Sequence, residues 1–228
     1  MSASDLISAP SAITPPRRRW AAAVRGESEP WVEFAADYAL PVYAWMRASG
    51  CEPEPAMART DGYFYWVETF IPTTEVSEAR AFLYAQFTIY LGLGGPIESD
   101  SRIALPSVEA AEERVADVVE LAPDMAFAKL WTRTVLGLAI KTIQEEYVAA
   151  GKGALFPYLK PFLAYHMGNK DPYAEVAPKS GLSVSALKLA VFHFRQRYRD
   201  VLRATVMDTL VTNERTDEEL TALLCAAT

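Results

Sequence analysis

The chain has little of what catalysis, metal binding or export ordinarily needs. It holds two cysteines, Cys51 and Cys225. They are too few and too scattered for a disulfide framework or a thiolate metal site, which fits a reducing cytoplasm. Only two histidines, His166 and His193, offer a base that titrates near neutrality. Neither stands in a nucleophile, zinc or phosphate motif. Gly92, Gly94 and Gly95 lack the preceding strand and the following Lys-Ser/Thr of a phosphate loop. Glu145 and Glu146 are neighbours on one helix, so they diverge by roughly a third of a turn and do not converge on a substrate. No apolar run approaches the ~18 residues that span a bilayer. The opening MSASDLISAPSAITPPRRRW carries its basic cluster after a weakly apolar part, unlike a secretory signal. No internal repeat and no strand-like alternation is visible. These absences lead us to expect an all-α, cytoplasmic protein that is not an enzyme and holds no cofactor or metal.

What is present is ample apolar material. At 228 residues and 51% hydrophobic content, the chain can build one large or two small packed cores. Residues 1–16 are rich in Ser, Ala and Pro and read as a flexible arm. Arg17 to Arg19 follow, and we take them to keep that arm soluble. From Trp31 to Ser49, the positions Trp31, Phe34, Ala35, Tyr38, Val42, Trp45 and Met46 share one helical face. Pro41 removes a backbone hydrogen bond there and should kink or split the helix. Gly94-Gly95-Pro96 and Ala122-Pro123 punctuate the chain around an acidic stretch. Within it, Val108 to Leu121 can form an amphipathic helix, read as a linker helix in preference to a cover for a basic partner. From Asp124 to Ala149, Phe127, Trp131, Val135, Leu138, Ile143 and Tyr147 should face inward. Pro157 and Pro161 shorten or distort the helix after it, and Thr216 with Glu219 forms a capping box for a short final helix.

The most informative stretch runs from Pro172 to Arg203. A short amphipathic segment with Tyr173, Val176 and Ala177 apolar stops at Gly181, where glycine can take the left-handed conformation of a tight turn. Leu182 then packs inward and Ser183 can cap the next helix. Leu187, Val191, Phe194, Tyr198 and Val201 recur at steps of three and four and form its buried stripe. Ser185, Lys188, Leu189, Phe192, Gln196 and Arg199 fall on the opposite face, with Arg195 and His193 at its edges. Between Lys179 and Arg203 six Lys or Arg stand against one Asp, +5 on a chain of -7, so the remainder carries -12. A basic helix alone is usually just a solvated face. Joined to this turn, it reads as a helix-turn-helix whose second helix meets the major groove.

Several separated motifs carry a family resemblance. They are EEYVAAGKGALFPYLKPFL (Glu145 to Leu163), PYAEVA, GLSVSALKLAV, RQRYRDVLR and DEELTALL (Asp217 to Leu224). In this order they resemble the C-terminal half, region 4, of extracytoplasmic-function-type RNA polymerase sigma factors of the planctomycete and verrucomicrobial kind. The Trp31-to-Gly50 segment resembles the first helix of region 2, and Ser77 to Leu91 its arginine-rich helix. The resemblance implies two helical domains, at 17–92 and 124–228, joined by an acidic linker at 93–123. It also implies promoter DNA as a partner, through Ser183, Ser185, Lys188, Phe192, His193, Arg195, Gln196 and Arg199. Core RNA polymerase is a second partner, through Ala58, Asp61, Tyr63 and Phe64, with an anti-sigma protein or self-association as further ones.

The chain departs from the family in three places. Ala58 stands where an acid is usual and Asp61 where an amide is usual, which implies weaker docking on polymerase. From Gly50 to Phe127 fourteen Asp or Glu meet four Arg, a balance of -10 that repels phosphate. The N-terminal half is therefore not expected to melt promoter DNA, and the alternative function is a degenerate sigma paralogue acting through protein contacts. Finally, Leu189 and Phe192 make an apolar patch beside Lys188 and Arg199. A protein contact there, with the acidic segment or another subunit, is preferred over thymine methyl groups, because the reduced basic content weakens the phosphate attraction.

Overall fold

The computed structural model describes residues 16–71, 77–95, 102–164 and 172–226. The described residues form helices and no strand, with an isolated antiparallel bridge between Glu78 and Leu210. In order the helices are α1 (Arg19–Val24), α2 (Ser28–Ala48), α3 (Pro53–Glu68), α4 (Ala79–Gly92), α5 (Val108–Val115), α6 (Pro123–Ala149), α7 (Phe156–Leu159), α8 (Pro172–Ser180), α9 (Val184–Met207) and α10 (Thr216–Ala226). A 3₁₀ turn at Lys160–Leu163 follows α7. No helix among the described residues is long and apolar enough to cross a membrane. His166 lies outside the described residues, as does nearly all of the N-terminal arm.

The chain divides into two compact units, and their limits are not those suggested by the punctuation at 92 and 123. The larger comprises Pro16–Leu136 with Thr205–Thr228; the smaller, among described residues, is Gly137–Ala204. The boundary falls inside α6 and α9, two helices whose sequences give no sign of it.

The larger unit is organised by α2. Its expected face is buried, but so are Ala39, Leu40, Pro41, Tyr43 and Ala44, so the helix is enclosed on all sides at its middle. Such a helix must be apolar all round. Pro41 does not split it, and Ser28–Ala48 runs unbroken. Burial of this many large side chains, each worth about 1.5–3 kcal/mol, outweighs the roughly 3 kcal/mol of an internal proline. Rings run through the core in series. Phe34 stacks on Tyr38 at 4.4 Å, Tyr38 lies 4.5 Å from Trp131, and Trp45 lies 4.2 Å from Phe87.

Two features of this unit differ from expectation. Residues 93–123 are not merely a linker, because α5 packs on α2 and α3, with Ala111, Val115 and Val118 fully buried. Ser107 caps it, accepting from the Ala110 N–H at 3.3 Å. Glu112 accepts from Arg47 at 2.8 and 3.0 Å and from the Tyr43 hydroxyl at 2.6 Å. The second difference is the tail after Thr205, which packs with the N-terminal helices. The Val211 N–H donates to Ser77 O at 2.8 Å and the Ala79 N–H to Thr209 O at 2.9 Å. Arg80 forms a two-pronged bond with Glu219 at 2.8 and 2.9 Å. Glu219 is thereby taken from the expected capping box, and the Thr216 hydroxyl donates to Asn213 O.

The smaller unit is built on Tyr147, Phe156 and Phe194, which meet edge to face at 5.6 to 6.2 Å. The two prolines act as expected. Pro157 stands in the first turn of a four-residue helix and Pro161 in the 3₁₀ turn after it.

Candidate nucleic-acid interface

The α8–α9 pair owes its geometry to three residues. Gly181 has φ +72°, a conformation that costs a side-chain-bearing residue about 1–2 kcal/mol. That turn lets the Leu182 N–H reach back to Ala177 O at 3.2 Å, satisfying an end carbonyl of α8. Ser183 Oγ then accepts from the Ala186 N–H at 3.2 Å and so caps α9. The stripe Leu187, Val191, Phe194 and Val201 is buried, and Tyr198 is half-buried.

The outer face of α9 is solvent-exposed at Ser185, Lys188, Leu189, Phe192, Gln196 and Arg199, and His193 at its edge is half-buried. Lys188 Nζ sits 5.3 Å above the Tyr173 ring, an attraction that keeps the ammonium beside α8 without neutralising it. Arg199 donates to Gln196 Oε1 at 3.0 Å, so these two project as a unit. Phe192 packs its ring against His193 at 5.5 Å and remains 57% exposed.

Two basic residues of the stretch serve the fold. Arg195, expected to touch DNA, is half-buried and donates to Phe162 O at 3.0 and 2.6 Å, tying α9 to the 3₁₀ turn. Arg197 is buried against Glu146, with Nε to Oε2 at 2.8 Å and a second bond from Nη2 to Oε1. The Glu146 carboxylate raises the Arg197 pKa despite burial. Counting Glu146 lowers the local balance from +5 to +4. Lys179, Lys188 and Arg199 are exposed along the pair.

The residues expected to dock on polymerase separate into two sets. Tyr63 and Phe64 are fully buried, and the Tyr63 hydroxyl donates to Leu83 O at 2.7 Å. They are core residues and cannot form a docking surface, because adjacent apolar positions on α3 are enclosed by α2 and α4. Ala58 and Asp61 instead line a shallow cavity of about 570 Å³, with Glu54 and Met57 of α3 on one side and Ile103 and Leu105 on the other. Residues 103–105 thus lie along this part of α3, and Arg102 holds them there through Glu68 at 2.7 and 2.8 Å and Ser28 at 2.7 Å.

Sequence reasoning missed one charged cluster. Arg19 is buried, with its backbone N–H and Nε on the Asp208 carboxylate at 2.6 and 2.8 Å and Nη1 on Asp37 at 2.8 Å. Burial opposes its charge, but Asp208 and Asp37 outweigh that and hold its pKa above the ordinary value. Arg18 donates to Val211 O at 3.1 Å and to Asn213. Neither arginine serves the solubility of the arm. The only signal in sequence was an arginine run just before a tryptophan, and nothing local told that Asp208 would meet it. No protein-family model, curated protein or solved structure matches this chain, so these residues and their geometry are what a functional reading stands on.

Proposed function

We propose that the chain is a sigma-factor-like transcription initiation protein, whose α8–α9 pair is a helix-turn-helix that sets α9 in the major groove of promoter DNA and whose larger unit docks on core RNA polymerase. The observation that carries the DNA part is the junction at Gly181 to Ser183. A left-handed glycine, a returning Leu182 N–H and a serine cap fix two helices about a three-residue turn, and α9 turns an exposed polar and basic face outward. The first turns of α9 supply Ser185 and Lys188 for base edges, and Lys179 and Arg199 flank them for phosphates.

The two cations assigned to phosphates, Lys179 and Arg199, release roughly two counterions, so the logarithm of affinity should fall with the logarithm of salt at a slope of about -1.8. Fluorescence anisotropy with labelled duplexes over a salt series measures it. Failure to bind any duplex at low salt sinks the proposal. Lys179→Ala and Arg199→Ala should each reduce the slope by about 1.

A second reading is favoured by the larger unit, where Tyr63 and Phe64 are buried and Arg18, Arg19 and Arg80 are engaged with the tail. On it the chain is a sigma paralogue that acts through protein contacts and does not melt DNA. A pull-down with core polymerase in competition with an ordinary sigma factor separates the two. Binding weaker than that of the ordinary factor supports the first and no binding the second.

A further inference from the structure

We infer that α9 reads thymine, with Leu189 and Phe192 packing on the C5 methyl groups of thymines in the major groove. This rests on the α8–α9 pair being the DNA-binding element, and it names what that element selects. Leu189 is 47% and Phe192 57% exposed, although both are apolar and sit in the first nine residues of α9. That N-terminal part of a recognition helix is the part that reaches base edges. Ser185 and Lys188 share the face with them, and Gln196 and Arg199 continue it toward the C-terminus.

The occupant of this patch must be both anionic and locally apolar. Lys188 and Arg199 are exposed on the same face of α9, which selects negative charge. The acidic helix of the same chain does not fit, because the apolar face of α5 is already buried at Ala111 and Val115 and its Glu112 is held by Arg47 and Tyr43. A DNA duplex meets both conditions, since its backbone is anionic and the thymine methyl is the one apolar group on the major-groove floor. Phe192 suits the task because its ring leans on His193 at 5.5 Å and so loses little rotamer freedom on binding.

The test uses the full-length protein and a pool of randomised duplexes, from which bound sequences are selected and amplified. In the enriched duplex each thymine is then replaced singly by uracil, which removes the methyl and nothing else. Replacement at a contacted thymine should weaken binding about four-fold, the equivalent of one buried methyl. Phe192→Ala, at an exposed position where folding is checked by circular dichroism, should bind more weakly and no longer distinguish thymine from uracil at one of these positions. If the wild-type chain binds an enriched duplex with thymine and uracil equally, the inference is overturned and DNA binding stands. If Phe192→Ala keeps its sensitivity to uracil and instead loses self-association, the patch is a protein contact and the inference is again overturned. If no duplex is retained at any salt concentration, the DNA reading itself fails and takes this inference with it.

Discussion

Arg197 and Glu146 show how a charged residue on a basic helix can belong to the core. Both are buried, 5% and 9% exposed, and two hydrogen bonds join them. Removing one partner strands a charge in a low-dielectric interior, which typically costs 3–5 kcal/mol, whereas replacing both by apolar groups is often neutral. Arg197→Met should therefore destabilise the protein by about 3–5 kcal/mol in urea unfolding, and adding Glu146→Leu should restore most of the loss. A double variant no better than the single would contradict this account. Tyr147 next to the pair gives a pH signature. Burial, helped by Glu146, raises its pKa from 10.0 to about 12. Its folded pKa exceeds its unfolded one, so its contribution to stability is complete below pH 10 and declines as the pH rises from 10 toward 12. Thermal melts across that range should fall less steeply for Tyr147→Phe than for the wild type.

At the scale of elements, the turn between α8 and α9 and the seating of α5 are separable. Gly181→Ala meets no atom within 4 Å of the added Cβ, so its cost is purely conformational. A loss of about 1 kcal/mol is expected, and Ser183→Ala should cost a similar amount through the lost cap. On the proposed function both should also weaken duplex binding, since both set how α9 leaves the turn. For α5, the hydrogen bonds from Arg47 lower the Glu112 pKa, with Tyr43 helping. A lowered folded pKa gives stability that is present above the ordinary glutamate range and lost as the pH falls through the folded value. Acid unfolding should thus begin below about pH 4.3 and be less pH-dependent in Glu112→Gln. If the two proteins titrate alike in denaturant midpoints between pH 3 and 6, Glu112 does not anchor α5.

At the scale of the whole molecule, the divided larger unit makes a clear statement about fragments. Residues 124–228 were the expected self-contained half, but Leu210, Val206 and Thr216 are buried in the unit that also holds α1 to α5. Cutting the chain before Asp124 leaves Asp208 without Arg19 and Glu219 without Arg80, and uncovers Trp131, which packs on Tyr38. That fragment should show a broadened melt and proteolysis beyond residue 204. A cooperative melt and an intact tail would mean that the C-terminal segment folds independently of the N-terminal helices.

The all-α class, most helix positions and the buried stripe of α9 were legible in the sequence, because helical period and apolar spacing are local and 3.6-residue periodicity survives any tertiary arrangement. The Gly181 turn and the Ser183 cap were legible for the same reason, as each acts within a few residues. Arg195 and Arg197 were not, because a sequence counts charges without showing which carbonyl or carboxylate each will meet. Phe162 lies 33 residues and Glu146 51 residues away from them. Tyr63 and Phe64 were assigned to a surface by register with a family pattern, and only packing against α2 and α4 decided that both are interior. The larger divergence lies in the unit boundary. Gly and Pro mark where a chain can turn, and the sequence determined those turns. Which segments then close one core depends on distant pairs such as Arg19 with Asp208, and that the tertiary structure alone decided.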